Sequence, residues 1–161
     1  MYFPATLFNA LSIVTAVIYF CSAGLIAFNI IRNKSVDKQR AWVLTSAFIA
    51  IVLHLLLVAY SISINQAIPN DLFNMLSLVF LVISVLFCFS AISQSIETLA
   101  LIVFPFSAIA VLLNISNQAT LGATNTYADA VQLHILLSIL SYSLLTVAAF
   151  QAIMLSIQEK Q

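Results

Sequence analysis

The chain has 161 residues, of which 63% are hydrophobic and 6% are charged, and its five basic and five acidic residues give no net charge. A soluble domain is about a quarter charged and a nucleic-acid-binding domain needs a basic surface, so both classes are excluded. The uncharged stretches each exceed the roughly 20 residues that a helix needs to cross a bilayer. These stretches are 1–31, 41–70, 72–96, 98–128 and 130–158. The sequence therefore predicts an all-α, polytopic transmembrane helix bundle that forms a single domain over residues 1–161.

Five spans are predicted in chain order, at about 5–31, 41–64, 72–93, 98–114 and 131–157. The linker from Arg32 to Arg40 holds four of the five basic residues. Because short basic loops stay in the cytoplasm, this linker places the N-terminus outside. With five spans the C-terminus is then cytoplasmic.

Three acidic residues mark the starts of the later spans, and a proline interrupts one of them. Asp71, Glu97 and Asp129 each stand at the start of a span. A carboxylate there meets free backbone N–H groups and the positive end of the helix dipole, so a structural role is expected. Pro105 lies inside the fourth span and is expected to kink it.

Small and polar residues recur at helical spacing in four of the spans. Membrane helices associate through such residues because lipid already satisfies the apolar ones, so these faces are predicted to contact one another. They are Ser12, Ala16, Tyr19 and Ala23 in the first span, Ala47, Ala50, His54 and Ser61 in the second, Asn74, Ser77, Ser84, Cys88, Ala91 and Ser95 in the third, and His134, Ser138, Ser141, Ala148, Ala152 and Ser156, bordered by Tyr142, in the fifth.

The two histidines, His54 and His134, are the candidate functional residues. Ionisable groups inside a membrane are rare and point to function, and both histidines fall in the predicted outer half of their spans. Three roles stay open: hydrogen bonding to Ser or Asn across the bundle, proton transfer, or ligation of a metal or haem iron. No catalytic residues are predicted, because the spans contain no phosphate-binding loop, nucleophile set or carboxylate pair. The protein is therefore not expected to be an enzyme.

The fifth span, from Val131 to Phe150, resembles a signature of the cytochrome c assembly family, the CcmC/CcsA-type haem-handling membrane proteins. The resembling pattern is His134, Ser138, Ser141 and Tyr142, followed by a run of small residues. The whole chain is similar to the YpjD/HemX-like branch of that family. That similarity follows the basic first loop, Leu53-His54, the segment from Asn74 to Leu78, Phe104-Pro105 and the His134 helix, in this order.

The resemblance implies haem as cofactor and a role in cytochrome complex assembly at the outer side of a bacterial cytoplasmic (inner) membrane. His134 and His54 would be the iron ligands, and Ser138 and Tyr142 would contact the haem. The chain departs from the family in having one tryptophan, Trp42, on the predicted inner side. It also stops after the fifth span, so it is expected to be the N-terminal part of a longer fold.

A second function stays open. The alternative to haem handling is a cofactor-free permease-like or accessory membrane subunit of a transport system. In either case the expected partners are the lipid bilayer and other membrane subunits, with no nucleic acid.

Overall fold

A computed structural model describes residues 4–32, 40–65, 68, 71–93, 97–115 and 129–159. Its elements are all helices: α1 (Ala5–Ile31), α2 (Arg40–Asn65), α3 (Leu72–Ser93), α4 (Glu97–Ile115) and α5 (Asp129–Gln158). These bounds agree with the predicted spans to within two residues at every end. The all-helical prediction is confirmed for the described residues.

Four of the helices, α1, α2, α3 and α5, are long and apolar enough to cross a membrane. They have 27, 26, 22 and 30 residues. Helix α4 is shorter, with 19 residues, and contains Pro105. Proline lacks a backbone N–H, so the Leu101 carbonyl loses its usual helical donor.

Asp71 fixes the start of α3 in the way that the sequence predicts. Its Oδ1 accepts a hydrogen bond from the backbone N–H of Asn74 at 3.0 Å, which satisfies one of the free donors of the first turn. Glu97 and Asp129 are the first residues of α4 and α5. The Asp129 carboxylate lies in the first turn of α5, where the positive end of the helix dipole stabilises it.

Helices α1 to α4 form a four-helix bundle in which α1 packs on α2, α2 on α3, α3 on α4, and α4 closes back onto α1. Neighbouring helices run antiparallel: Ser22 bonds Ser46, whereas Tyr19, one turn earlier in α1, meets His54 further along α2. This is the up-down-up-down arrangement of a bundle with short connections. Helix α5 lies outside this four-helix bundle and packs chiefly on α3.

Aromatic side chains fill the middle of the bundle. The rings of Phe87 and Phe104 meet edge to face with centroids 5.3 Å apart, and the Tyr19 ring lies 5.7 Å from that of Phe104. All three side chains are buried. Buried alanines at Ala16, Ala47, Ala50, Ala91, Ala100 and Ala108 line the contacts between helices and let the backbones approach closely.

Candidate functional site

His54 is one of the fully buried polar side chains that the sequence singles out. It is 0% exposed and contacts polar groups on two other helices. Its Nε2 lies 2.9 Å from the Ser77 hydroxyl on α3, and its Nδ1 lies 3.4 Å from the Tyr19 hydroxyl on α1. A neutral imidazole donates through one nitrogen and accepts through the other, so these two partners suffice for the whole ring. Hydrogen bonding across the bundle, one of the three open roles, is what the structure shows for His54.

A separate pair of buried hydroxyls joins α3 to α4. The hydroxyls of Ser84 and Ser107 are 2.8 Å apart, and Ser107 donates to the Val103 carbonyl of its own helix at 2.9 Å. Ser77, His54 and Tyr19 are joined to one another by hydrogen bonds, and all three are buried. We call them the hydroxyl–imidazole chain.

A second cluster surrounds Asn74 at the end of the bundle nearest Asn65 and Asp71. The Asn74 side-chain carbonyl accepts hydrogen bonds from Ser61 at 2.9 Å and from the Asn114 amide at 3.1 Å. The Asn74 amide donates to Asp71 Oδ2 at 2.6 Å. This Asn74 cluster ties α2, α3 and α4 together and satisfies its buried polar groups internally, as a low-dielectric interior requires.

Helix α2 makes polar contacts with other helices at three positions along its length. Ser46 bonds Ser22 at 2.8 Å, His54 joins the hydroxyl–imidazole chain, and Ser61 joins the Asn74 cluster. The 15 residues from Ser46 to Ser61 cover about 22 Å of helix, against roughly 30 Å for the hydrocarbon core of a bilayer. Paired polar side chains thus follow most of the length of the bundle.

The predicted contact faces of the first three spans are confirmed where the structure describes them. Ser12, Tyr19, His54, Ser77 and Ser84 are all buried. Ser95, predicted for the third span, lies outside the described residues.

The predicted contact face of the fifth span is wrong. His134, Ser141, Ala148, Ala152 and Ser156 are exposed and Ser138 is half-buried, so we call this the outer face of α5. Helix α5 instead turns Ile139, Ser143 and Val147 inward. The physical reason is that the bundle interior and the lipid are both apolar, so an apolar ridge packs on α3 as readily as a small-residue face does.

The structure does not bring the four predicted haem-site residues together. His54 is enclosed by α1 and α3, whereas His134 is exposed on α5 and Ser138 is half-buried there. Tyr142 is 68% exposed near the middle of α5. The Ser141 hydroxyl donates to the Leu137 carbonyl of its own helix, so it is already satisfied within α5. His134 and Tyr142 are the two larger polar side chains that α5 exposes here.

Haem does not fit around His54 in this arrangement. Both ring nitrogens are engaged by Tyr19 and Ser77, and iron ligation needs one of them free. No three His, Cys, Asp or Glu side chains in the described ranges are grouped so that they could hold a metal ion. A haem ligand on this chain would therefore be His134, and that assignment stays a prediction.

An apolar cleft lies between α2 and α3, lined by Phe48, Ile51, Val85, Cys88 and Phe89. Its volume is about 130 Å³, well below the roughly 300 Å³ at which small-molecule pockets begin. It has no polar group to orient a ligand and does not qualify as a cofactor site.

Several of the buried hydrogen-bonding residues were not predicted from the sequence, above all Ser107 and Asn114 on α4. The two residues are seven positions apart, so they share one face of the helix. That spacing was the signal in the sequence from which a polar face of α4 could have been predicted.

Comparison with models of protein families, with curated proteins and with solved structures finds no match to this chain. The resemblance to the cytochrome c assembly family stays a prediction.

Proposed function

We propose that the chain is a cofactor-free accessory membrane subunit that assembles with another membrane protein of a transport or assembly system through the outer face of α5. The observation that supports this most is Tyr142, 68% exposed near the middle of a 30-residue helix. Tyrosines of membrane helices prefer the interfaces, where the hydroxyl meets water. At mid-membrane depth the phenol needs a polar protein partner.

The unequal burial of the helices supports the same proposal. About 39% of the spanning segments of α1, α2 and α3 is buried inside the structure, but only 17% of that of α5. The outer face also carries Ala148, Ala152 and Ser156, spaced four residues apart. Small residues at this spacing let a second membrane helix approach closely. In the described ranges of α1–α4, by contrast, the buried polar side-chain atoms all have hydrogen-bond partners.

The topology that we propose follows the charges. Helix α4 crosses the membrane as the fourth of five spans, since its 19 residues reach about 28 Å at 1.5 Å per residue. The basic segment from Arg32 to Arg40 lies in the cytoplasm, which places the N-terminus outside and the C-terminus inside. The membrane that we propose is the bacterial cytoplasmic membrane, following the family resemblance.

Purification in a mild detergent tests the assembly. We expect the wild-type chain to carry a second membrane protein in a fixed ratio. Ala148→Phe should weaken that association about fivefold or more, because overpacking a close contact costs about 1–3 kcal/mol. Val17→Phe, at an exposed apolar position of α1, is the matched control and should leave the ratio unchanged. A partner retained equally by both variants would contradict the proposal.

Haem handling is the second candidate, and the exposure of His134 favours it over a site at His54, because the His134 ring is open to a ligand. The wild-type protein from haem-replete cells would then show a Soret band that His134→Ala removes and His54→Ala does not. A colourless preparation, or a band that His134→Ala leaves unchanged, rejects this candidate.

A further inference from the structure

In the described part of the chain, nothing around Gly24 requires it to be a glycine. It lies inside α1, where glycine is less favourable than alanine because it loses more conformational freedom on folding. It is exposed, and a Cβ atom built on it would meet nothing within 4 Å beyond the backbone of its own helix. Lipid does not require a glycine either, because acyl chains pack against apolar side chains of any size. A second helix does, since the absence of a side chain lets two backbones approach closely.

Gly24 belongs to a row of exposed residues that runs along α1 at alternating spacings of four and three. The row, which we call the α1 seam, consists of Ala10, Val14, Val17, Cys21, Gly24, Phe28 and Ile31. This is the spacing of the a and d positions of a heptad, along which two helices pack. The small residues Cys21 and Gly24 are consecutive in the seam, with Val17 before them and Phe28 after. Two crossing helices diverge from their closest point, so small residues there and bulkier ones beyond fit a helix crossing.

We propose that two copies of this chain pair through the α1 seam, with the two α1 helices parallel and their backbones closest at Cys21 and Gly24. The basic segment between α1 and α2 gives every copy the same orientation in the membrane. A two-fold axis along the membrane normal then brings the same residue of both copies to the same depth. In a parallel pair with heptad spacing each layer holds the same position of both helices, so Gly24 meets Gly24 and Cys21 meets Cys21.

The composition of the seam suits a second copy of the same helix. From Ala10 to Phe28 the seam contains no charged residue, so symmetric pairing brings no like charges together. It also sets the small residues of one helix against those of the other, which an unrelated helix would have to supply at the same depth. Dimers with two-fold symmetry are the commonest oligomers.

The α1 seam and the outer face of α5 lie at different corners of the bundle. Helix α1 packs on α2 and α4, whereas α5 packs chiefly on α3. A dimer through α1 therefore leaves the outer face of α5 free for the partner proposed above. Pairing of two copies neither requires that partner nor changes the ratio of chain to partner.

Oxidation of Cys21 in native membranes tests the pairing directly. Cys88→Ser leaves Cys21 as the sole cysteine, and copper(II)–phenanthroline accepts the two electrons released when two thiols lose their protons and form one disulfide. We expect a band of twice the chain mass on a non-reducing gel, which a reductant returns to the monomer. The control moves the thiol to α2 with Cys21→Ser and Val52→Cys. Val52 is exposed and lies two residues from His54, which is level with Tyr19, and this variant should stay monomeric.

Substitution of Gly24 tests the close approach. Gly24→Leu should lower the yield of the Cys21 disulfide about fivefold or more, and Gly24→Ala should lower it less because it adds one methyl group. Ala59→Leu, at an exposed alanine of α2, adds the same bulk facing lipid and should leave the yield unchanged. Helical circular dichroism of each variant shows whether it is folded, and the open space around Gly24 accommodates both substitutions in the single chain.

Three results would overturn the pairing. The first is a Cys21 protein that stays monomeric under oxidation or forms a disulfide only with a different protein. The second is an equal dimer yield from Val52→Cys, which would mean random collision in the membrane. The third is an undiminished yield from folded Gly24→Leu. None of these results bears on the α5 partner, whose association is measured through Ala148→Phe.

Discussion

The two histidines differ in what surrounds them, and this difference has a measurable consequence. His54 engages Tyr19 and Ser77 in a closed interior, whereas His134 is exposed. Replacing His54 by Ala leaves two buried hydroxyls without their partner. We expect a loss of about 3 kcal/mol in the free energy of unfolding, since each unsatisfied buried group costs about 1–3 kcal/mol.

His134→Ala is the control for this prediction and should change the free energy of unfolding by less than about 0.5 kcal/mol, as exposed substitutions usually do. Unfolding by sodium dodecyl sulfate in mixed micelles, followed by circular dichroism, measures both variants. Equal losses for the two histidines would show that His54 is not held as described.

Ser143 is a buried serine of α5 whose side chain lacks a hydrogen bond in the described part of the chain. Its Oγ is enclosed and has no hydrogen-bond partner among the described residues. Removing the hydroxyl should therefore stabilise the protein, and we expect Ser143→Ala to raise the free energy of unfolding by about 1 kcal/mol. Ser107→Ala should lower it by about the same amount, because Ser84 loses its partner. The same unfolding titration applies, and destabilisation by both substitutions would show that Ser143 has a partner after all.

For the helices, the sequence predicts where each one begins better than it predicts which face is buried. Charges and helix-start carboxylates such as Asp71 mark where each span begins, because a charge is costly in lipid and favourable at a helix N-terminus. The face of α5 could not be predicted in the same way. Its small residues indicate helix association, but the pattern does not tell whether the associating helix belongs to this chain or to another.

The hydrogen-bond partners of His54 could not be predicted from the sequence either. His54 and Ser77 both stand in predicted contact faces, yet nothing in the spacing says which residues of α1 and α3 come level with His54. That depends on the relative heights of helices that are joined by loops. Tyr19 therefore entered the prediction as a packing residue, and the structure makes it the hydrogen-bond partner of His54.

Helix α5 should be the least protected element of the isolated chain. It packs chiefly on α3 and buries less of its span than α2 does, and local stability follows buried contacts. Hydrogen exchange followed by mass spectrometry in detergent should show faster deuterium uptake in peptides of α5 than in those of α2. Equal protection would mean that α5 is held as firmly as the four-helix bundle.

For the whole molecule, the proposed orientation depends on the basic segment between α1 and α2. A reporter fused after Gln161 should be active only in its cytoplasmic form, and one inserted after Asn65 should report the outside. Reducing the positive charge with Lys34→Gln and Lys38→Gln should weaken this preference. An outside signal at Gln161 in the unaltered chain would reverse the topology.

Photocrosslinking from the outer face of α5 in native membranes is the most direct test of assembly with a second membrane protein. A photoreactive phenylalanine derivative is placed at Tyr142 or, as control, at Phe48, an exposed aromatic residue of α2. We expect a discrete adduct with a second membrane protein from Tyr142 and only lipid adducts from Phe48. Lipid adducts alone from Tyr142, or an adduct with the mass of two copies of this chain, would contradict assembly with a different subunit.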